Sequence, residues 1–161
     1  MDIRDKMFEK AAEKAAAYVN IKPRTALQVR RYLIDKGYEE DIVSQVIEQL
    51  KEYRYIDDME FASMYFRYGF EKGRGVGRIK RELSEKGVSS DVIDMAYEAL
   101  EDVPDQTEMA MEIAHSMLIG IDMDEMDYDA KRKLQAKIGR RLMSRGFSSE
   151  ITYKVIGRLV R

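Results

Sequence analysis

Cysteine is missing from all 161 residues, so neither a disulfide nor thiol chemistry can contribute to fold or function, which fits a reducing cytosol. Proline occurs twice, at Pro23 and Pro104, and histidine once, at His115. Scarce proline leaves helices uninterrupted, and a lone imidazole without cysteine partners completes neither a zinc set nor a nucleophilic triad. His115 reads as a surface or packing residue. No apolar run approaches the roughly eighteen residues of a membrane helix, and the N-terminus lacks the basic stretch and apolar core of a targeting signal. Strand signals are almost absent. Against these gaps stand 36% charged and 45% hydrophobic residues, the composition of a helix-rich chain with enough apolar side chains for cores.

The net charge of −2 conceals a strong segregation. Residues 101–130 carry ten carboxylates and no Lys or Arg, whereas residues 131–161 carry ten Lys or Arg and one acid, Glu150. Partners are therefore to be inferred from local charge and not from the total.

One pattern recurs three times: VRRYLIDKGYEEDIVSQVIEQL from Val29, IKRELSEKGVSSDVIDMAYEAL from Ile79, and IGRRLMSRGFSSEITYKVIGRL from Ile138. Leu33, Leu83 and Leu142 each stand four residues before Gly37, Gly87 and Gly146, and seventeen before Leu50, Leu100 and Leu159. A helix ends readily where the residue after its C-cap turns left-handed, which Gly does without a Cβ penalty. The next residue then folds back onto the position five before it, pairing Tyr38 with Leu33, Val88 with Leu83 and Phe147 with Leu142. Ser89 or Ser90, and Ser148 or Ser149, can cap the helix that follows. Each pattern is a helical hairpin, and repeats of this length argue for modules stacked in a row.

Other helices flank the hairpins. Residues 4–19 form a leading helix with Met7, Phe8, Ala11, Ala15 and Tyr18 on one side, and Thr25 with Gln28 makes a capping-box signature for the first hairpin. A helix starting at Asp57 and Asp58 buries Phe61, Ala62, Tyr65 and Phe66, and one over 107–118 buries Met109, Ala110, Ile113, Ala114 and Met117. The acidic segment 121–129 is expected to be a mobile connector. The division that follows is an N-terminal helix over 1–23, three-helix repeats over 24–73 and 74–122, and a shortened repeat over 123–161 that lacks its last helix.

Two tempting motifs fail. GRGVG has the wrong spacing for a dinucleotide fingerprint and follows a helix where that motif needs a strand. IDMDEMDYD lacks the Gly of a calcium loop at its sixth position and has Lys133 where the bidentate Glu belongs. No convergent acid, base, nucleophile, metal or cofactor set emerges, so a non-enzymatic protein is expected.

RTALQVRRYLIDKGY (24–38), YIDDMEFA (55–62) and KGRGVGRIKRELSEKGV (72–88) together resemble the RecX family, bacterial regulators of the RecA recombinase. The likeness runs over nearly the whole chain beyond Pro23. Two departures stand out: Arg54 where such chains usually have Gly, and Val76 where Pro is frequent. Arg54 falls at a helix end that favours a left-handed residue, at a cost of roughly 1 kcal/mol for a non-Gly side chain. The resemblance implies an all-α, elongated, curved array of tandem three-helix repeats. It also implies a protein that lies in the groove of the RecA–DNA filament and limits filament growth, ATP hydrolysis and strand exchange. Apart from the resemblance, a cytoplasmic monomer is expected.

Such a protein needs basic side chains that recur with the modules. Arg31, Arg81 and Arg140 share one repeat position, and Lys36, Lys86 and Arg145 share another. The plain alternative is a solvated helix face, with the second set favoured simply by the helix C-terminal dipole. The densest mixture of bases and rings sets Tyr68 beside Arg67, Lys72, Arg74, Arg78, Lys80 and Arg81, where rings could stack on bases and cations neutralise phosphate. Phe61, Tyr65 and Phe66 have the spacing of core residues. Arg140, Arg141 and Arg145 on the basic tail complete the candidate surface for the RecA filament or DNA. The alternative function is a helical module that binds nucleic acid on its own, and a second is a scaffold docking through the acidic belt.

Overall fold

The computed structural model describes residues 2–161, and in it the three landmark glycines end helices with φ of +93° at Gly37, +94° at Gly87 and +96° at Gly146. The helices are α1 (Ile3–Ile21), α2 (Ala26–Asp35), α3 (Glu40–Glu52), α4 (Asp58–Glu71), α5 (Val76–Glu85), α6 (Ser90–Glu98), α7 (Gln106–Met117), α8 (Tyr128–Ser144) and α9 (Ser149–Leu159). Among the described residues there is no strand. The chain is all-α and repetitive, and none of its described helices is long and apolar enough to cross a membrane.

Each hairpin turn closes as the spacing requires. The N–H of Tyr38, Val88 and Phe147 donates to the carbonyl of Leu33, Leu83 and Leu142 at 3.2, 3.1 and 3.1 Å. All six side chains are buried, each leucine completely, worth about 1.5–3 kcal/mol per large side chain. Thr25 and Gln28 form the capping box, and Ser89 and Ser148 cap α6 and α9. Arg54 takes φ +60°, the left-handed geometry its position demands, while the Tyr55 N–H donates to Leu50 O at 2.8 Å.

The chain divides into two compact units, Met1–Met64 with Leu83–Ala99, and Tyr65–Glu82 with Leu100–Arg161. The first contains a core from α1, α2 and α3, in which Ala11, Ala15 and Val19 meet Val29, Leu33, Val43, Val46, Ile47 and Leu50. Exposed ion pairs from Arg4 to Asp41 and from Arg30 to Glu40 lie over it. The second contains a core from α7, α8 and α9, in which Ala110 and Ala114 meet Leu134, Ile138, Leu142, Phe147 and Val155.

These cores phase the repeat differently from the sequence division. The helix before the hairpin completes each of these bundles, so α1 belongs to the first and the last hairpin is whole with α7. The landmarks of the repeat lie only in the hairpins. The completing helix is chosen by close approach of an alanine face, which no local pattern marks. The acidic connector is also more ordered than expected, with a 3-10 turn over Met123–Glu125 that the Asp122 side chain caps.

The turns of the second and third hairpins dock on the start of the hairpin before them. In the first unit the Thr25 hydroxyl donates to Lys86 O at 2.6 Å, and a Cβ on Gly87 would meet Leu27 Cγ at 2.9 Å. In the second unit the Gly75 N–H donates to Arg145 O at 2.7 Å and the Gly77 N–H to Gly146 O at 3.1 Å. A Cβ on Gly75 would stand 2.7 Å from Gly146 C, and one on Gly146 would stand 2.8 Å from Arg78 Cα. Thr25 and Gly75 occupy the same repeat position, as do Lys86 and Arg145. Around Gly37, in contrast, a Cβ would meet nothing within 4 Å.

Gly37→Ala should therefore cost only the left-handed strain, about 1–2 kcal/mol. Gly146→Ala must also push the docked backbones apart and should cost at least ~3 kcal/mol. Equal losses in denaturant titrations would remove the docked turn from the account. Arg54→Gly should raise stability by roughly 1 kcal/mol, because it relieves the only non-Gly left-handed residue among those described.

Candidate functional site

The glycine-rich segment between α4 and α5 has a structural job: it gives the third hairpin turn a backbone to bond to. Around it, in the second unit, the sequence's mixture of rings and bases becomes a defined network. Arg74 Nη1 and Arg78 Nε each stand 3.5 Å from Glu82 Oε1, an oxygen sealed from solvent. At that distance the pairing is electrostatic, and the Tyr65 hydroxyl supplies a hydrogen bond to the same side chain while Arg74 Nη1 reaches the Tyr65 oxygen at 3.5 Å. Burial, then the Glu82 charge and hydrogen bond, push the Tyr65 phenol above its ordinary value, with Arg74 pulling the other way. Arg74 also lies 5.3 Å from the Tyr68 ring centroid and Lys72 Nζ 5.7 Å from it. Arg145 donates from Nη1 to Lys72 O at 3.2 Å, satisfying a carbonyl at the end of α4.

The expected contact residues thus separate into two kinds. Arg74, Arg78 and Arg145 are partly buried and hold α4, α5 and the α8–α9 turn together. Lys80 is half-buried and already engaged. Arg67, Tyr68, Lys72, Arg81, Arg140 and Arg141 are exposed in the second unit, and Arg31 is exposed in the first. All three members of the Arg31, Arg81, Arg140 set face solvent. Their counterparts Lys36, Lys86 and Arg145 follow the last helical residue of α2, α5 and α8, where the helix dipole favours a cation. Phe66 is fully buried, as its spacing requires, and Phe61 and Tyr65 are partly so. His115 is exposed in the last turn of α7, and among the described residues no three His, Cys, Asp or Glu side chains group as a metal site.

Two domain models match this arrangement: "RecX, first three-helix domain" over residues 11–50 and "RecX, second three-helix domain" over residues 57–96. The regulatory protein RecX of Clostridium perfringens is 30% identical over 157 residues, covering 98% of this chain and 72% of the relative. The chain belongs to the RecX family. The regulatory protein RecX of Clostridium botulinum is 32% identical over 147 residues, covering 91% of this chain and 67% of that one. The crystal structure of RecX from Lactobacillus salivarius is similar with a TM-score of 0.81 at 26% identity, over 96% of this chain and 97% of that one. The two RecX domain models each take a helix and the hairpin after it, as the α1–α3 core does.

The sequence did not reveal Glu82 as the hub. Its only signal is the four-residue spacing to Arg78, which makes a helical ion pair. Nor did it give Thr25 a role beyond capping. The frequent family proline at position 76 would lack a donor that this chain uses, since the Val76 N–H donates to Gln106 Oε1 at 3.0 Å.

Glu82→Ala should leave Arg74 and Arg78 without their counter-charge in a partly buried place and cost about 1–3 kcal/mol by thermal unfolding. Tyr65→Phe tests the pH linkage. A phenol raised above its unfolded value of 10.0 contributes its full stability below that pH and loses it as pH rises through the folded value. The deficit of Tyr65→Phe against wild type should be roughly 1 kcal/mol at neutral pH and shrink above pH 10. A deficit constant across that range would mean the hydroxyl is not held by Glu82.

Proposed function

We propose that this protein is a non-enzymatic regulator of the RecA recombinase that works in the cytoplasm. In this reading it binds in the groove of the RecA–DNA filament and limits filament growth, ATP hydrolysis and strand exchange. The reading is carried by membership of the RecX family across nearly the whole chain, with relatives named regulatory proteins. It assigns no catalytic residue, metal or cofactor.

Arginine recurring at one repeat position supports a partner with repeated negative or polar features. Arg31, Arg81 and Arg140 are exposed, and no capping duty accounts for them. Arg67, Tyr68, Lys72 and Arg141 extend the proposed contact surface. Arg74, Arg78 and Arg145 enter only indirectly, because changing them would loosen the second unit itself.

The triple change Arg31→Glu, Arg81→Glu and Arg140→Glu should raise the concentration needed to inhibit RecA's DNA-dependent ATPase by at least about tenfold, with helix content by circular dichroism unchanged. Undiminished inhibition by that folded variant would exclude this arginine set. Tight, steeply salt-dependent binding of the wild-type protein to bare DNA, with no effect on RecA, would favour a stand-alone nucleic-acid module instead.

A further inference from the structure

The α8–α9 hairpin has a second face. Its core side carries Leu134, Ile138 and Leu142, all buried. On another side a groove of about 490 Å³ opens between the two helices. Ala136, Gly139 and Met143 from α8 and Ile156 from α9 line it, together with Tyr153, which is 73% exposed. Arg132 and Arg140, two helical turns apart, also line the groove, and Arg132 lies 5.8 Å from the Tyr128 ring centroid.

The spacing of these residues describes an occupant. From Arg132 to Met143 the groove follows α8 for about 16 Å, or three helical turns. Ala136 and Gly139 are small enough to let a partner backbone approach, and Met143 adapts its shape to whatever lies on it. An apolar groove with flanking cations matches a helix that carries an apolar stripe and acidic flanks. The surrounding charge agrees, since residues 131–161 hold ten Lys or Arg and a single acid. A nucleic-acid backbone would satisfy the two arginines and leave the apolar residues uncovered.

We propose that the α8–α9 groove is a docking site for an acidic amphipathic helix of a protein partner, with Ala136, Gly139, Met143 and Ile156 taking its apolar stripe and Arg132 and Arg140 its carboxylates. The site shares only Arg140 with the recurring arginine set. Any protein that presents such a helix satisfies it, so the inference does not depend on RecA as the partner.

The test uses the full chain with 13C-labelled methionine and isoleucine methyls and no RecA. The probe is a synthetic peptide of about 14 residues, with leucines at helical i, i+3, i+4, i+7 spacing among Glu and Asp. Its control has the same composition with the leucines scattered. The Met143 and Ile156 methyl signals should shift saturably with the probe and not with the control. Arg132→Glu with Arg140→Glu should weaken binding about tenfold or more, and Ala136→Trp, which fills the groove without touching the core face, should abolish it.

Equal response to both peptides would reduce the effect to bulk charge and overturn the proposal. So would the same methyls responding more tightly to a single-stranded oligonucleotide, which would make the occupant a nucleic acid. Concentration-dependent shifts of those methyls in the protein alone would assign the groove to a second copy. Because RecA is absent from the sample, none of these outcomes by itself overturns the regulatory reading, which fails or stands on the RecA ATPase measurement.

Discussion

A helix that ends in a left-handed glycine leaves carbonyls pointing past its last turn, and those oxygens need donors. In two of the three hairpins, one of them is met by the start of the preceding hairpin. Lys86 O receives the Thr25 hydroxyl, and Arg145 O receives the Gly75 N–H. The donors differ in chemistry, yet they occupy one repeat position and bond to one repeat position. The turn geometry fixes where the oxygen lies, so what recurs is the place of a donor and not its identity. In the second unit the donor is the backbone itself, which requires an approach close enough to exclude a Cβ at Gly75, Gly77 and Gly146. In the third hairpin the matching position is Leu134, buried within the longer α8, so that hairpin offers no such notch.

Recurrence of charge therefore has two separate physical origins in this chain. Cations just before the landmark glycines follow from the helix end: the dipole favours them there, and Arg145 adds a hydrogen bond to Lys72 O. The arginines two residues before each landmark leucine have no such cause. They are exposed, they cap nothing, and surface charges of this kind contribute about 0–1 kcal/mol to stability. A repeated feature that the fold does not need is the better candidate for a partner. The same reasoning makes Arg74 and Arg78 weaker candidates, because their partly buried pairing with Glu82 already gives them a structural use.

Local chemistry made much of this legible in the sequence. Glycine, the apolar residue after it and the leucine five before that residue mark a helix stop through contacts within six residues, and all three hairpins formed as those residues dictate. The left-handed Arg54 was visible only through the resemblance, which sets it at a helix end where such chains usually carry Gly. Tertiary choices were not. Nothing local says that α1 and α7 complete the bundles around the hairpins that follow them, because alanine faces are common and acquire meaning only against a partner. GRGVG could be denied a phosphate-binding role from its context. Its actual role depends on Gly146, about seventy residues further on, and no spacing within the segment encodes that approach. The exposed recurring arginines were legible as a pattern, and solvent exposure is what separates them from the cations that the turns use.

The basic hairpin also carries a cost that bears on what it meets. Along α8 and its C-cap, Lys133, Lys137, Arg141 and Arg145 follow one another at four-residue spacing, and each such like-charge neighbour costs a helix about 0.2–0.5 kcal/mol. No acid on α8 beyond its first turn offsets them, Asp129 being the only carboxylate in the helix. The bundle holds because Leu134, Ile138 and Leu142, each next in sequence to one of these cations and so on the adjoining face of the helix, are buried, where each large side chain contributes several times that penalty. An anionic partner laid along this helix would relieve the repulsion as it forms its own contacts. Some of its binding energy would then come from strain already present in the free protein, and salt, which screens that strain, would weaken the complex more than the count of direct ion pairs suggests.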